Sequence, residues 1–431
     1  MSSDAPGADH NGPGFDRVQP KWCTMDIDKK VQLLSERLRY IQDIFGAKHN
    51  ENITLLGQRL EEFLAREREM LQVEKVRALT DLEDLFVFLE NKLERELTPM
   101  DRVRIVRHPQ RICLKDILEH VYDNYTEIGG KDEYSIDPAM LIARAYITRR
   151  SGNRTWHQPV MVIGQEKGHG QEFRNGGSVK PWGNAKAQHY MQVAQTENIP
   201  IHTYIFTPGA FPIEDFPGAA QQIAANLYEM AALTVPIVAV FSEGGSGGAE
   251  AIGLADARLM LSHGYYSVIS PEGAAAIEGR LREGQRATPE LIESCARKLK
   301  ITAEDNLAMG YIDRVVPEPA LGARPEHWDF YKLLRQEIIR ATDEVVLDVK
   351  GVKLFRAMAV RRRADEAAAG EGEGFYVNWN LGSTARERLL ARRYQRFSRM
   401  SRHAVLDTRS TTQRLTQLAH DVAWGVYSFF R

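Results

Sequence analysis

The sequence predicts an α/β fold, a parallel sheet with covering helices, extended at both ends by helical segments. Three observations predict it. The apolar strand Ile201 to Phe206 ends in the turn Thr207-Pro208-Gly209-Ala210-Phe211-Pro212, and the apolar strand Pro236 to Phe241 runs into Ser242-Glu243-Gly244-Gly245-Ser246-Gly247-Gly248. A helix expected over Gln221 to Leu233 joins them, so the two glycine turns point the same way, at the carboxyl ends of adjacent parallel strands. From Leu114 to Pro319 helix and strand patterns alternate, as a sheet covered by helices requires.

Residues 1–23 hold Gly, Pro, Asp and Ser with almost nothing to bury and are expected as a disordered tail. A helical region is expected over 24–110, where Ile27, Val31, Leu34, Leu38 and Ile41 fall at three- and four-residue steps and Leu56, Leu60, Phe63 and Leu64 repeat the pattern. Such a stripe packs on a core or on a partner subunit. The core is expected over 111–345, with elements at Leu118 to Tyr125, Ala139 to Thr148, Pro159 to Gly164 and Lys186 to Glu197 ahead of the glycine turns. Residues 346–431 read as helical again, with a flexible linker at 364–374 (ADEAAAGEGEG). At 431 residues the chain exceeds the usual single-core limit of about 250–300, which agrees with a core carrying helical additions.

The glycine turns carry the chemistry. Glycines at a helix N-terminus leave backbone N–H groups unpaired and unshielded, so an oxygen gaining negative charge approaches them closely. That is the layout of an oxyanion hole, whose donors are worth on the order of 3–4 kcal/mol each. The competing reading of GGSGG is a close helix–strand crossing that needs glycine only for room.

Three motifs in order, TPGAFP, EGGSGGAEAIG and YSVISPEG, resemble the carboxyltransferase α subunit of bacterial acetyl-CoA carboxylase, a member of the crotonase superfamily. The resemblance extends to LTPMDRVRIVRHPQR (Leu97 to Arg111), PVMVIGQEKG (Pro159 to Gly168), YIDRVVPEP (Tyr311 to Pro319) and RRYQRF (Arg392 to Phe397), covering roughly residues 80–405. It implies a crotonase-like ββα superhelix core. It also implies transfer of CO2 from carboxybiotin to acetyl-CoA or a related acyl-CoA, giving malonyl-CoA for fatty acid biosynthesis in the cytoplasm. Biotin would ride on a biotin carboxyl carrier protein, charged by biotin carboxylase, and not on this chain. The acyl-CoA side would come from a zinc-ribbon β subunit in an α2β2 assembly. Carried over by position, the resemblance makes the N–H groups of Gly247 and Gly248 the biotin-side donors, supported by Gly244 and Gly245, with Gly209-Ala210 as the facing wall. On this reading Gly248→Val blocks the donors and leaves the fold intact.

The chain departs from the family in three places. KGHGQEFRNGG (Lys167 to Gly177) is shorter than the family's basic stretch and leaves Lys167 and Arg174 as the cations for the carboxylate of carboxybiotin or the phosphates of CoA. IEDFPGAAQ (Ile213 to Gln221) lacks the family's arginine. Glu250 stands where the acetyl-CoA enzymes carry an apolar residue and where many crotonase hydratases carry a catalytic glutamate. It reads either as a first-turn carboxylate favoured by the helix dipole or as an acid/base, the second opening a hydratase, isomerase or decarboxylase activity. The carboxyltransferase reading expects Glu250→Leu to stay active. A non-catalytic scaffold paralogue is the third alternative.

A net charge of −2 supplies no general field for nucleic acid or membrane, and no stretch reads as a membrane span or a secretory signal. Three scattered cysteines, Cys23, Cys113 and Cys295, fit a reducing compartment and exclude a four-cysteine zinc ribbon; no metal is expected in this chain. His169, His189, His202 and His263 show no ligand spacing and are expected in core or surface roles. Arg361 to Arg363 and the cluster Arg386 to Arg402 are expected as solvated helix faces, or as a surface for the β subunit or the biotin carrier.

Overall fold

The computed structural model describes residues 27–46, 50–129, 137–151, 153–169, 174–211, 218–282, 284–351, 376–400 and 410–429. The tail over 1–23, the linker over 364–374 and Arg361 to Arg363 lie outside them. The chain divides into two compact units, Met1–Lys92 and Leu93–Arg431.

The first unit holds α1 (Ile27–Phe45), α2 (Glu51–Arg66) and most of α3 (Gln72–Glu94). Leu34, Ile41, Leu56, Leu60 and Phe63 of the two stripes are buried. Leu64 is exposed, because one residue past Phe63 the helix has turned about 100°. Lys30 and Arg37, seven apart on α1, pair with Glu83 and Glu90, seven apart on α3 (Lys30 Nζ to Glu83 Oε1 3.1 Å, Arg37 Nε to Glu90 Oε1 2.5 Å), so these helices run parallel.

In the second unit α4 (Pro99–Arg107) starts on a capping box in which Thr98 and Asp101 satisfy each other's backbone N–H groups. The element expected over Leu118 to Tyr125 is instead two elements. Asp116 accepts from the Cys113 backbone N–H (2.7 Å) and starts α5 (Leu114–Val121) earlier, and the backbone turns extended at Tyr122 into β1 (Asn124–Glu127). The sheet continues with β2 (Met140–Ser151), β3 (Arg154–Gln165), β4 (Ile201–Thr207), β5 (Ile237–Gly245), β6 (Ala257–Ser267) and β7 (Arg314–Val316), and its seven strands lie in chain order. The strands β3 to β7 are parallel, as expected, whereas β1–β2 and β2–β3 are antiparallel. Ser151 pairs with Arg154, a connection too short for the crossover that a parallel pair needs.

The helices are α6 (Pro181–Glu197), α7 (Ala219–Ala232), α8 (Ser246–Glu250), α9 (Pro271–Glu278), α10 (Pro289–Lys298), α11 (Ala303–Ala308), α12 (Trp328–Val349), α13 (Ser383–Arg399) and α14 (Thr411–Phe429). None among the described residues is long and apolar enough to cross a membrane. Alternate side chains of the strands enter two cores. Ile201, Ile205, Ile237, Ala239 and Phe241 meet Met191 of α6 and Met230 of α7, while Tyr204, Phe206, Val238 and Val240 meet Leu118 of α5 and Leu334 and Ile338 of α12. Burial of both faces is why these strands read as unbroken apolar runs.

Each of the central strands supplies two ladder segments. β5 pairs β6 first over Val238 to Phe241 with Ala257 to Met260, then over Glu243 to Gly245 with Tyr265 to Ser267. β4 shifts register against β5 at Ile205/Phe206. Gly264 allows the break, since a Cβ there meets the Ser242 carbonyl oxygen at 2.8 Å. Two segments followed by a helix is the ββα pattern of a crotonase-like superhelix, and the α/β class holds.

One buried polar chain crosses the second core. Thr342 Oγ1 donates to the Ile338 carbonyl (2.8 Å), so it accepts from His202 Nε2 (2.9 Å), and His202 Nδ1 accepts from Tyr122 (2.9 Å), which accepts in turn from Tyr204 (2.8 Å). Every partner is satisfied by a neutral imidazole, and burial pushes the His202 pKa down to about 3. The folded pKa lies below the ordinary 6.5, so between these values the unfolded chain binds a proton that the folded one does not. Stability contributed by His202 is therefore present above about pH 6.5 and falls as pH drops toward 3, by at most about 1.4 kcal/mol per pH unit. Urea midpoints between pH 4 and 7 are expected to fall more steeply for the unmutated chain than for His202→Gln. Equal slopes would remove His202 from the account.

Candidate active site

The turn after β4 is shaped by Thr207, whose buried hydroxyl donates to the Gly209 carbonyl (2.8 Å) and accepts from the Gly209 N–H (3.2 Å). β5 runs four residues past the expected Phe241, so Gly244 and Gly245 are strand and not loop. The strand-to-helix turn is made at Ser246, which takes φ = 53°, a conformation that non-glycine residues rarely adopt. α8 is only five residues long, and its first N–H groups have no carbonyl within the helix to bond.

The two turns meet backbone to backbone. A Cβ on Gly245 lies 1.8 Å from the Pro208 carbonyl oxygen, and one on Gly248 lies 2.5 Å from the Gly209 carbonyl carbon and 2.6 Å from the Ala210 nitrogen. A Cβ on Gly244 meets the Tyr266 ring at 2.7 Å. Room is therefore what Gly244, Gly245 and Gly248 provide. Gly247 differs, since a Cβ there meets nothing nearer than Ile223 Cδ1 at 4.0 Å, and both Ser246 and Gly247 are half-buried. The expectation that Gly248→Val spares the fold is corrected by this geometry, because valine there drives into Gly209-Ala210.

Gln165, fully buried at the end of β3, accepts from the Phe206 N–H (3.2 Å) and donates to the Gly248 carbonyl (2.7 Å). One side chain thus fixes the end of β4 and α8 at once. It was missed in the sequence, where its only signal is its place at the end of the PVMVIG strand.

Beside the turns lies a balanced charge cluster. Glu243 is fully buried and accepts from Lys167, from Arg107 Nε (3.1 Å) and from the Tyr265 hydroxyl (3.2 Å), while Arg107 Nη1 reaches Glu272 (2.7 Å). Burial opposes the Arg107 charge, but Tyr265, Glu243 and Glu272 more than offset it and hold the guanidinium pKa above its ordinary value. Burial and the adjoining Glu243 push the Tyr265 phenol up. Two cations and two carboxylates leave no net charge. Gly177 (φ = 87°) packs against the Phe206 carbonyl and the Lys167 stem, beside the end of β4. Arg174 donates to the Pro138 carbonyl (3.1 Å).

Glu250 is turned to Arg258. Its carboxylate lies 2.9 Å from Arg258 Nη2 and accepts from the Tyr266 hydroxyl, and the Arg258 guanidinium, 1 % exposed, is held between the Phe241 and Tyr266 rings (4.6 and 5.1 Å to the centroids). Removing the carboxylate leaves a buried cation with the Tyr311 carbonyl, the Tyr266 hydroxyl and the weakly accepting Met400 sulfur, all uncharged. Glu250→Leu is therefore expected to lose about 1–3 kcal/mol of stability, below the 3–5 kcal/mol of a fully buried pair because the glutamate is a quarter exposed. Glu250→Gln keeps a hydrogen-bond acceptor and is expected to lose less than half as much. Equal midpoints for Glu250→Leu and the unmutated chain would deny the pair its role.

His202 and His263 are core residues, His263 held between Glu94 (2.8 Å) and Glu318 (3.2 Å). His189 stacks edge-on against Tyr190 (5.2 Å), and His169 stands 2.7 Å from Asp116. The RRYQRF arginines divide, one facing inward and the others toward solvent. Arg393 is buried on Asp256, and Arg392 and Arg396 pair with Asp348 (2.9 Å) and Asp313 (2.6 Å). The solvated face expected for this cluster holds at Arg388, Arg392 and Arg399, which are exposed, whereas Arg393 is the exception, drawn inward by Asp256 at the entry of β6.

The model of a family described as acetyl co-enzyme A carboxylase carboxyltransferase-like matches residues 47–361. Curated relatives include proteins named acetyl-coenzyme A carboxylase carboxyl transferase subunit alpha. That of Staphylococcus epidermidis is 40% identical over 57% of this chain and 78% of its own length, and that of Chlorobium luteolum is 38% identical over 70% of this chain and 85% of its own. A solved transcarboxylase 12S core, with methylmalonyl-coenzyme A and methylmalonic acid bound, aligns at 19% identity and a TM-score of 0.40 over 54% of this chain and 41% of that one. With the family model covering most of the chain and the relatives spanned over most of their length, the chain belongs to the acetyl-CoA carboxylase carboxyltransferase α-subunit family.

Proposed function

We propose that this chain is the α half of a biotin-dependent carboxyltransferase that moves CO2 from carboxybiotin on a carrier protein to acetyl-CoA, forming malonyl-CoA for fatty acid biosynthesis in the cytoplasm. The observation that carries the reading is the locked pair of glycine turns, where Gly245 and Gly248 seat α8 on Pro208 to Ala210 and leave the amide face at Ser246 and Gly247 open. The biotin ring, once its carboxyl group is lost, supplies a nitrogen base for the substrate proton and an oxygen that gains charge. Residues of this chain fit that demand. The first-turn N–H groups at Gly247 and Gly248 offer preorganised donors to an anionic oxygen, and Gly209-Ala210 bounds the space opposite. On this reading Lys167, one-fifth exposed on Glu243, and Arg174, donating to the Pro138 carbonyl, are the cations offered to a carboxylate or phosphate.

The proposal includes partners. A single locked pair of turns offers one oxyanion site, and the reaction develops charge on both biotin and thioester, so a β subunit of the zinc-ribbon type in an α2β2 assembly, a biotin carboxyl carrier protein and biotin carboxylase complete it. Glu250, taken up by Arg258, lends the hydratase alternative no support. Reconstitution tests the reading: the pure chain is expected to transfer no carboxyl group to acetyl-CoA and to do so once a β subunit and carboxylated carrier are added. Transfer by the chain alone, or hydration of an enoyl-CoA without a partner, would sink it.

A further inference from the structure

We propose that Cys113, Asp116 and His169 form a zinc(II) site with three protein ligands and a fourth position open to water. The chain brings them together from two segments more than fifty residues apart, the N-terminus of α5 and the turn after β3. Their ligand atoms all lie within 4.8 Å of one another, with Cys113 Sγ 3.3 Å from His169 Nε2 and His169 Nε2 2.7 Å from Asp116 Oδ2. Thiolate, imidazole and carboxylate together are a zinc donor set, and three of them with one open position is the arrangement of an exchangeable site.

The surroundings are those of a metal site. His169 Nδ1 lies 3.2 Å from the Pro109 carbonyl oxygen, so the ring presents Nε2 as its ligating nitrogen, the tautomer-fixing contact that metal-bound histidines make. Asp116 is anchored by the Cys113 backbone N–H (2.7 Å). Glu166, fully buried beside them, is pinned by the Lys115 and Gly168 N–H groups (2.9 and 2.6 Å) and adds a fixed negative charge. Cys113 closes the site from below, 2 % exposed, while the His169 side chain is 38 % exposed and opens the path for the ion and its water.

Geometry asks for little movement. A tetrahedral zinc with bonds of about 2.0–2.3 Å sets its nitrogen and oxygen ligands about 3.3 Å apart and its sulfur and nitrogen about 3.5 Å apart. The sulfur and nitrogen are already near that separation, and His169 and Asp116 must part by about 0.6 Å, within reach of side-chain torsions at a half-exposed histidine. On binding, the Cys113 thiol gives its proton to solvent and its sulfur takes the metal as thiolate, with no change of oxidation state. The bound ion ties the turn that carries Lys167 to α5, and so rigidifies one wall of the glycine site.

The full chain, stripped with chelator and dialysed, is expected to retain one equivalent of zinc when titrated with zinc chloride alone. Cobalt(II) in its place is expected to give tetrahedral d–d bands and a thiolate-to-metal absorption. Cys113→Ser is expected to abolish that absorption and His169→Asn to weaken binding at least 10²-fold, as ligand loss must cost no less than loss of a neighbouring support. Cys23→Ser and Cys295→Ser are expected to bind as the unmutated chain does. No retained zinc in the unmutated chain, or a thiolate absorption that survives Cys113→Ser, overturns the site.

Discussion

Gly247→Val is expected to fold and assemble normally and to lose about 10²–10³ of the carboxyl-transfer rate for each donor it covers, whereas Gly248→Val loses transfer and stability together. The difference follows from what each Cβ meets. At Gly247 a Cβ meets no backbone and only the end of the Ile223 side chain, at 4.0 Å, so a branched side chain stands over the amide face without striking the scaffold's backbone. At Gly248 the first carbon already lies 2.5 Å from the Gly209 backbone, which cannot yield without moving the end of β4. Overpacking of that kind costs roughly 1–3 kcal/mol. Transfer assays with β subunit and carrier, run beside urea unfolding, separate the two variants. A near-native rate for Gly247→Val would show that the open amides take no part in the chemistry.

The same contrast shows what the sequence could say. A glycine cluster after an apolar strand is legible, and so is the direction of two such turns, because strand, helix and strand follow one another with little freedom. Which glycine is open and which is packed is not legible, since it depends on the other loop's backbone. Charges behave likewise. Lys167 and Glu243 are 76 residues apart and Arg393 and Asp256 are 137 apart, and no periodicity links them. In the sequence Lys167 and Arg393 therefore read as exposed or ligand-facing cations. The antiparallel β1–β3 start escaped notice although β1 is mostly exposed and β2 alternates in burial over Ala143 to Thr148, because the expectation of a parallel sheet rests on the unbroken apolar runs of the inner strands. Cys113, Asp116 and His169 show no ligand spacing along the chain because the fold, and not the local sequence, brings them together.

Arg393→Met is expected to cost about 3–5 kcal/mol. All five guanidinium N–H groups are in use. Nε and Nη2 meet Asp256 (2.8 and 2.7 Å), Nη2 also meets the Val235 carbonyl (3.0 Å), and Nη1 meets the carbonyls of Met230 and Leu233 (2.7 and 2.5 Å). Met230 belongs to the last turn of α7 and Leu233 ends it, where helix carbonyls lack partners and a cation is favoured. Asp256 in turn accepts from the Ile237 N–H at the start of β5 (2.9 Å). One side chain on α13 therefore holds the end of α7 and the entries of β5 and β6, the elements that lead into and out of the glycine turn. Methionine keeps the packing volume and leaves Asp256 buried without its cation. Arg393→Lys keeps the charge but offers three donors for five acceptor contacts, and is expected to cost about 1–3 kcal/mol. Pairing Arg393→Met with Asp256→Asn is expected to recover part of the loss, since the uncompensated charge goes with it. Urea midpoints measured at constant m report these differences. A shift under 1 kcal/mol for Arg393→Met would mean that the arginine-rich tail is held by its apolar contacts alone, and that its resemblance to the family's tail carries no structural weight.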